Sequence, residues 1–257
     1  AQRRNTRMLN GHLFFIKQRL MFTAWTTFKA TFMSDNKPVI AILGGTGDLG
    51  TGLARCWAEA GYSVIIGSRT AEKAETAVAA MQSMLAERGV AEMNLRAAEN
   101  LAAAESADIV AITVPFSHHQ STLEQVAPAL QDKILIDVTV PLVPPKVARV
   151  QLPEGGSAGQ RAQELLGDGV RVVSAFQNVA AHHMQKGTNA GCDVLVSGNN
   201  RDARAQVITL VEACNMRGYH AGSIANAAAA EALTSVLIFI NKQYKCHAGI
   251  ALTGLGE

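Results

Sequence analysis

Two short stretches carry residue types that act together on a phosphate-rich ligand. Gly45, Gly47 and Gly50, within Gly44-Gly45-Thr46-Gly47-Asp48-Leu49-Gly50, have the spacing G-x-G-x-x-G. In that pattern the first glycine permits a tight turn, the second lets backbone approach a pyrophosphate, and the third lets helix and strand pack closely. About 20 residues further on, a binder of an unphosphorylated ribose places an acid that accepts hydrogen bonds from the 2'-hydroxyl. This chain has Gly67-Ser68-Arg69-Thr70-Ala71-Glu72-Lys73 there. Ser68 offers a hydroxyl, Arg69 a planar fork suited to phosphate, and Lys73 lies one helical turn on, on the same side. Cations near a helix N-terminus are mildly unfavourable, which argues for a compensating anion. The residues therefore predict NADP rather than NAD. The bland alternatives are a glycine turn with no ligand and two solvated charges opening a helix.

Those residues need a strand before the glycines, a helix after them and a second strand beyond. Val39 to Leu43 is an apolar run, the segment to Ala60 reads as helix, and Ser63 to Ile66 follows a Gly61-Tyr62 turn. Helical spacing of Ala74, Ala77, Val78, Met81, Met84 and Leu85 predicts a helix over 70–88, with the methionines as core filler. Further strands are expected around Asn94 to Ala97, over Asp108 to Val114, over Lys133 to Val138, over Val170 to Phe176 and over Asp193 to Gly198. Alternation of such strands with helices predicts an α/β chain: a doubly wound, mostly parallel Rossmann-type sheet with a small, mainly helical C-terminal part.

Strand ends on one edge of such a sheet face the ligand. Val114-Pro115-Phe116-Ser117-His118-His119 is thus the second informative stretch. Val114 and Pro115 can pass close to the ribose or nicotinamide, Phe116 offers an apolar wall and His118 a contact to phosphate or ribose. Both histidines equally suit an ordinary pair opening a helix to Leu130. Prolines at 141, 144 and 145 prevent a central strand, so 139–157 reads as an irregular loop at the rim of the crevice. Helix is expected again from Ala158 to Leu166 and, after the strand at 193, through Cys214 to a Gly218-Tyr219 break. The closing helix, Asn226 to Asn241, is apolar all round apart from residues such as Glu231, Thr234 and Ser235, which suggests burial or a subunit interface.

Composition narrows the partners. Of 23 basic residues six precede Met33, where no acid occurs, so the body carries fewer bases than its 21 acids. Nothing in it calls for nucleic acid. Residues 1–34 read as a basic, disordered extension ahead of a natural start at Met33-Ser34; a transit peptide or a surface-lying amphipathic helix has similar composition. Its apolar runs are too short to span a bilayer. Cys56, Cys192, Cys214 and Cys246 form no C-x-x-C pair and read as buried hydrophobes of a reducing, cytoplasmic compartment. Adjacent histidines at 182 and 183 make a poor chelate and no H-E-x-x-H accompanies them, so no metal is expected.

With these residues in place, 37–255 resembles the NADPH-dependent reductases of the deazaflavin coenzyme F420. The resemblance rests on Gly44 to Gly50, on Gly67-Ser68-Arg69 with Lys73, on Val114 to His118 and on Val172 to Phe176. It implies that Thr46, Gly47, Asp48 and Leu49 line the pyrophosphate turn, and that Ser68, Arg69 and Lys73 hold the 2'-phosphate. It further implies that Val114, His118, Val140 and Ala181 line the nicotinamide half, with Val143 an alternative to Val140. Asp48 stands where an asparagine is common, and Gln177 where some members have a histidine facing the deazaflavin. The implied organisation is an NADP-binding part over 35–176 and a part over 177–257 that completes the deazaflavin site and a homodimer interface. The implied reaction is hydride transfer between NADP(H) and F420, with no catalytic side chain. Rival readings are an NADP-dependent imine or carbonyl reductase, related to pyrroline-carboxylate reductase, and a non-catalytic NADP sensor.

Overall fold

The central strands are short and apolar on both faces, which only a sheet covered by helices on each side can satisfy. In the computed structural model, which describes residues 37–187 and 191–255, β1 (Ile40–Leu43), β4 (Ile109–Ile112) and β5 (Ile134–Asp137) have every residue buried. They join β2 (Val64–Ser68), β3 (Leu95–Glu99), β6 (Arg171–Ser174), β7 (Asp193–Gly198) and β8 (Arg217–His220) in the order β3-β2-β1-β4-β5-β6-β7-β8. Pairing is parallel from β3 through to β6, with Ile42 opposite Ile66 on one side and Ala111 on the other. β7 then runs antiparallel to β6 and parallel to β8. This is the doubly wound α/β sheet that the strand and helix pattern predicts.

Alternate residues of each strand feed two cores. Ile40, Ile42, Val64, Ile66, Ala111 and Ile136 pack with α1 (Asp48–Glu59), α2 (Ala71–Glu87) and, farther along, α7 (Arg201–Glu212). Ala41, Leu43, Ile65, Val110, Ile112 and Leu135 face α3 (Asn100–Glu105), α4 (Phe116–Val126) and α5 (Ala158–Leu166). Two further α-helices occur among the described residues, α6 (Ala181–Lys186) and α8 (Ala227–Tyr244).

Several expectations change on contact with the structure. Gly218-Tyr219 is not a break: it lies inside β8, where Gly218 sits close against Ile208 of α7. The sheet continues past residue 176 through the β6–β7 pair, so the two parts expected on either side of it share one sheet. Cys56, Cys192 and Cys214 are buried, but Cys246 is exposed. The Cys56 and Cys214 thiols hydrogen-bond each other, lowering Cys56 and raising Cys214, while the Arg55 guanidinium donates to Cys56 Sγ at 3.0 Å. The extension expected over 1–34 lies outside the described residues.

Trp57 ties the two halves of the first core together. It is fully buried, stands edge-on to Phe176 at 6.1 Å, and its indole N–H donates to Leu210 O at 3.0 Å. Trp57→Ala is expected to lower unfolding free energy by about 3–5 kcal/mol, the range for deleting a large buried ring, in urea titrations; a loss below 1 kcal/mol would contradict this central role.

Candidate functional site

The glycine turn forms because the chain must leave β1 and enter α1 within a few residues. The positive φ falls on Gly44, at +68°, one residue before the G-x-G-x-x-G pattern begins, and a Cβ there would lie 2.6 Å from Val114 Cγ1. A Cβ on Gly50 would lie 2.7 Å from Gly45 Cα, so the helix can sit against the turn only with glycine at that place. The first i→i−4 bond of α1 is Thr51 N to Gly47 O at 2.8 Å. Amides preceding it have no partner within the helix, and they open onto the strand ends as a ready anion cradle.

Those strand ends enclose a cleft of about 550 Å³. At one end, where β2 stops, stand Ser68, Arg69 and Lys73; in the middle, Thr46, Gly47, Asp48 and Leu49; beyond β4 and β5, Val114, His118 and Val140. Every nominated residue but Ala181 therefore lines one cavity. Ala181 opens α6, which is docked on α1: Arg55 Nε donates to Met184 O at 2.8 Å, and Met184 packs against Gly52. Val140 lines the cleft, whereas Val143 is exposed and is not among the lining residues.

Charge is distributed unevenly along the cleft. Arg69 and Lys73 are exposed, and among the described residues no carboxylate pairs with either. Thr70, the N-cap of α2, makes no side-chain capping bond, so the cations sit beside a helix start that already carries positive potential. Asp48 would repel phosphate, but its Oδ1 accepts a hydrogen bond from Gln185 Nε2 of α6 at 2.9 Å. The carboxylate is thereby held towards α6.

Sequence reasoning missed residues that shape the opposite wall. Asn100, at the start of α3, is buried and its Oδ1 accepts from Gly44 N at 3.3 Å, steadying the turn from below. A polar residue directly after a strand end was the available signal. His119 does not merely open α4: it is buried, and its Nε2 lies 2.7 Å from Oδ2 of Asp137, which is fully buried. Asp137 Oδ1 accepts from Thr139 N at 2.9 Å, and its carbonyl accepts from Gln177 Nε2 at 2.8 Å. Gln177 is therefore turned into the protein and is absent from the cleft wall.

Behind this group, Glu231 of α8 accepts from Ala158 N at 2.7 Å and Gly159 N at 3.1 Å, at the start of α5. Burial pushes its carboxyl up to about 7, against the two amides that favour the charged form; Asp137 adds to the rise and His119 opposes it. On the far side, His247 stacks on His182 with centroids 4.2 Å apart. Among the described residues no group of three His, Cys, Asp or Glu side chains has the arrangement of a metal site.

Comparison with known proteins points one way. Residues 39–141 match the model of a family described as NADP oxidoreductase, coenzyme F420-dependent. The chain is 40% identical over 227 residues to the F420-dependent NADP reductase of Methanothermobacter marburgensis, an alignment spanning 85% of this chain and 99% of the relative. It is 38% identical over 222 residues to the F420-dependent NADP reductase of Methanocaldococcus jannaschii, spanning 84% of this chain and 98% of that one. A crystal structure of a putative F420-dependent NADP-reductase from Arthrobacter sp. FB24 superposes with a TM-score of 0.68 at 26% identity, covering 84% of this chain and 100% of the other.

The state of Glu231 has a measurable consequence. Its pKa is raised from an ordinary 4.5 to about 7, so its contribution to stability is complete below about pH 4.5 and is lost as pH rises through about 7. Between about pH 5 and about pH 8 this amounts to roughly 2 kcal/mol. Glu231→Gln should flatten the stability profile by that amount across the window in urea titrations; an unchanged slope would show that the carboxylate is already charged at pH 5.

Proposed function

The chain belongs to the coenzyme F420-dependent NADP oxidoreductase family, and from that premise we propose a function for the cleft and a role for each of its walls. The protein is an oxidoreductase that transfers a hydride between NADP(H) and the deazaflavin F420. The observation that carries the assignment of the cleft is the pair of unpaired cations, Arg69 and Lys73, at the end of β2. With Ser68 they take the 2'-phosphate, where a planar fork and a point charge act together. Thr46, Gly47, Asp48 and Leu49 supply the turn and helix start that receive the pyrophosphate, with the Asp48 carboxylate held aside by Gln185. Val114, His118 and Val140 line the nicotinamide half, and Ala181 lies beyond it on α6.

Both coenzymes bring their own redox chemistry, the hydride passing directly from one ring to the other. What remains for the protein is to hold the two ligands in register and exclude water, and the wall formed by Val114, Phe116, Val138, Val140 and Leu142 is suited to that. No side chain need act as nucleophile or proton donor. An imine or carbonyl reductase, by contrast, needs a proton delivered to its substrate.

The apolar face of α8 completes the reading. Val236 and Phe239 are exposed at 42% and 58%, while Ala227, Ala230, Glu231, Ser235 and Leu237 of the same helix are buried. Ile224–Tyr244 is long and apolar enough to cross a bilayer, but Glu231 binds it to α5 within the domain. We assign that face to a second copy of the chain, as a homodimer. Three buried free thiols suit a reducing compartment, and the proposal places the protein in the cytoplasm.

Purified protein given NADPH and oxidised F420 is expected to bleach the visible absorbance of the deazaflavin. Turnover of a cyclic imine without that bleaching would sink the reading. The double variant Arg69→Ala with Lys73→Ala should raise KM for NADPH at least tenfold, about the loss of one charge-assisted phosphate contact, and leave KM for NADH unchanged. Equal use of both nucleotides before and after the change would remove the 2'-phosphate assignment. Light scattering of Phe239→Glu should report monomers where the parent chain is dimeric.

A further inference from the structure

Cys56 lies near the end of α1, and Cys214 follows α7 in the turn that leads to β8. The two elements are pinned together close by, where the Trp57 indole N–H donates to Leu210 O at 3.0 Å. Cys56 precedes Trp57 directly, and Cys214 stands about one helical turn after Leu210. Both cysteines are buried, at 6% and 7% exposure, yet both line one cavity of about 330 Å³ together with Arg55, Glu59 and Glu212. A water molecule occupies about 30 Å³ in the liquid, so a small oxidant such as hydrogen peroxide has ample room there. The cavity shares no lining residue with the coenzyme cleft.

Two cysteines that only fill a core would be alike, and these are not. The Cys214 thiol donates to the Cys56 sulfur, which holds Cys56 below the ordinary thiol value against the opposing effect of burial, and Arg55 adds to the lowering. The same bond, with burial, pushes Cys214 well above that value. Arg55 Nη2 donates to Cys56 Sγ at 3.0 Å, while Nε is committed to Met184 O and Nη1 pairs with Glu59, so the cation is fixed beside that sulfur. Cys192 is the contrast: it is also buried, but its sulfur meets the Met216 thioether at 3.9 Å, and burial raises its thiol. A thiol eased towards its anion by a guanidinium, with a second, protonated thiol against it, has the parts of an attacking and a resolving cysteine.

We propose that Cys56 and Cys214 form a peroxide-sensing dithiol that closes reversibly to an intrachain disulfide. The Cys56 thiolate attacks one oxygen of hydrogen peroxide; the O–O bond breaks, and Cys56 becomes a sulfenic acid. The departing hydroxide takes up the proton that Cys56 had lost and becomes water. Cys214 sulfur then attacks the Cys56 sulfur, the S–O bond breaks, and the hydroxyl leaves as a second water with the Cys214 proton. The two thiols give up two hydrogens and two electrons, and the peroxide is reduced to two waters. Oxidation joins the end of α1 to the turn before β8 and withdraws from Arg55 the anionic form of its sulfur partner. In a compartment that keeps thiols reduced, such a bond is transient and serves sensing.

The full chain treated with hydrogen peroxide, unfolded in N-ethylmaleimide to block every remaining thiol, and digested for mass spectrometry tests the assignment. Free thiols should fall from the four of the sequence to two, with the peptides of Cys56 and Cys214 joined and dithiothreitol restoring both. Cys214→Ser, which removes the resolving thiol, should leave Cys56 as a sulfenic acid that dimedone captures. Cys56→Ser should leave Cys214 at least tenfold less reactive to the same dose, because its proton is held. Peroxide that oxidises the exposed Cys246 while Cys56 and Cys214 are both recovered as blocked thiols would overturn the proposal. So would either of them joined to a different cysteine, or dimedone capture at Cys214 in Cys56→Ser as fast as at Cys56 in Cys214→Ser. Where a serine variant fails to fold, the cross-linked peptide of the parent chain decides alone.

Discussion

A carboxylate with no solvent exposure, at the end of a central strand, is the constraint around which the cleft is arranged. Asp137 needs partners in the sheet, because taking a carboxyl group out of water is costly unless hydrogen bonds replace the lost hydration. The carboxylate takes its partners from α4 and from the loop after β5, and the main-chain carbonyl of the same residue takes one from the segment after β6. Each then has its place fixed by what it satisfies. His119 is drawn inward and sets the rotation of α4, leaving Phe116 and His118 on the cleft side. The Thr139 amide is drawn down, so that Val138, Val140 and Leu142 form a wall although the loop has no regular structure.

The opposite half is organised by unbalanced charge of the other sign. There the helix start, the glycine turn and two cations converge, and among the described residues no side-chain anion pairs with those cations; Asp48 is tied elsewhere. The cleft thus joins a positive end to an apolar end. That profile matches a ligand with phosphates at one extreme and an aromatic ring at the other, and it offers little to a substrate needing an acid beside a polar bond.

What was legible in the sequence was local. The glycine spacing, the apolar runs and the Ser68-Arg69-Lys73 cluster each lie within a few residues of their partners in the fold, so pattern alone located them. β8 escaped notice because Arg217-Gly218-Tyr219-His220 has no apolar run; an edge strand needs only one neighbour, and β7 supplies it. The pairing of His119 with Asp137 was illegible for a different reason. The two come together only because β4 and β5 are adjacent and α4 folds back over them, and a histidine after a strand end looks the same whether buried or solvated. Ala181 was nominated through likeness to a family; it opens α6 and is not among the lining residues, and no spacing encodes where that helix docks.

The bond between Gln185 and Asp48 links α6 to the helix start that faces the glycine turn. It is exposed, unlike the buried Arg55 contact to Met184 O and the close packing of Met184 on Gly52, and so is the weakest of the three ties. Reciprocity follows from its position. Because a docked α6 holds the Asp48 carboxylate aside and so favours an anion at the α1 amides, an anion bound there favours the docked α6 by the same free energy. Occupancy of the glycine turn and docking of α6 thus meet at one exposed contact, Gln185 to Asp48.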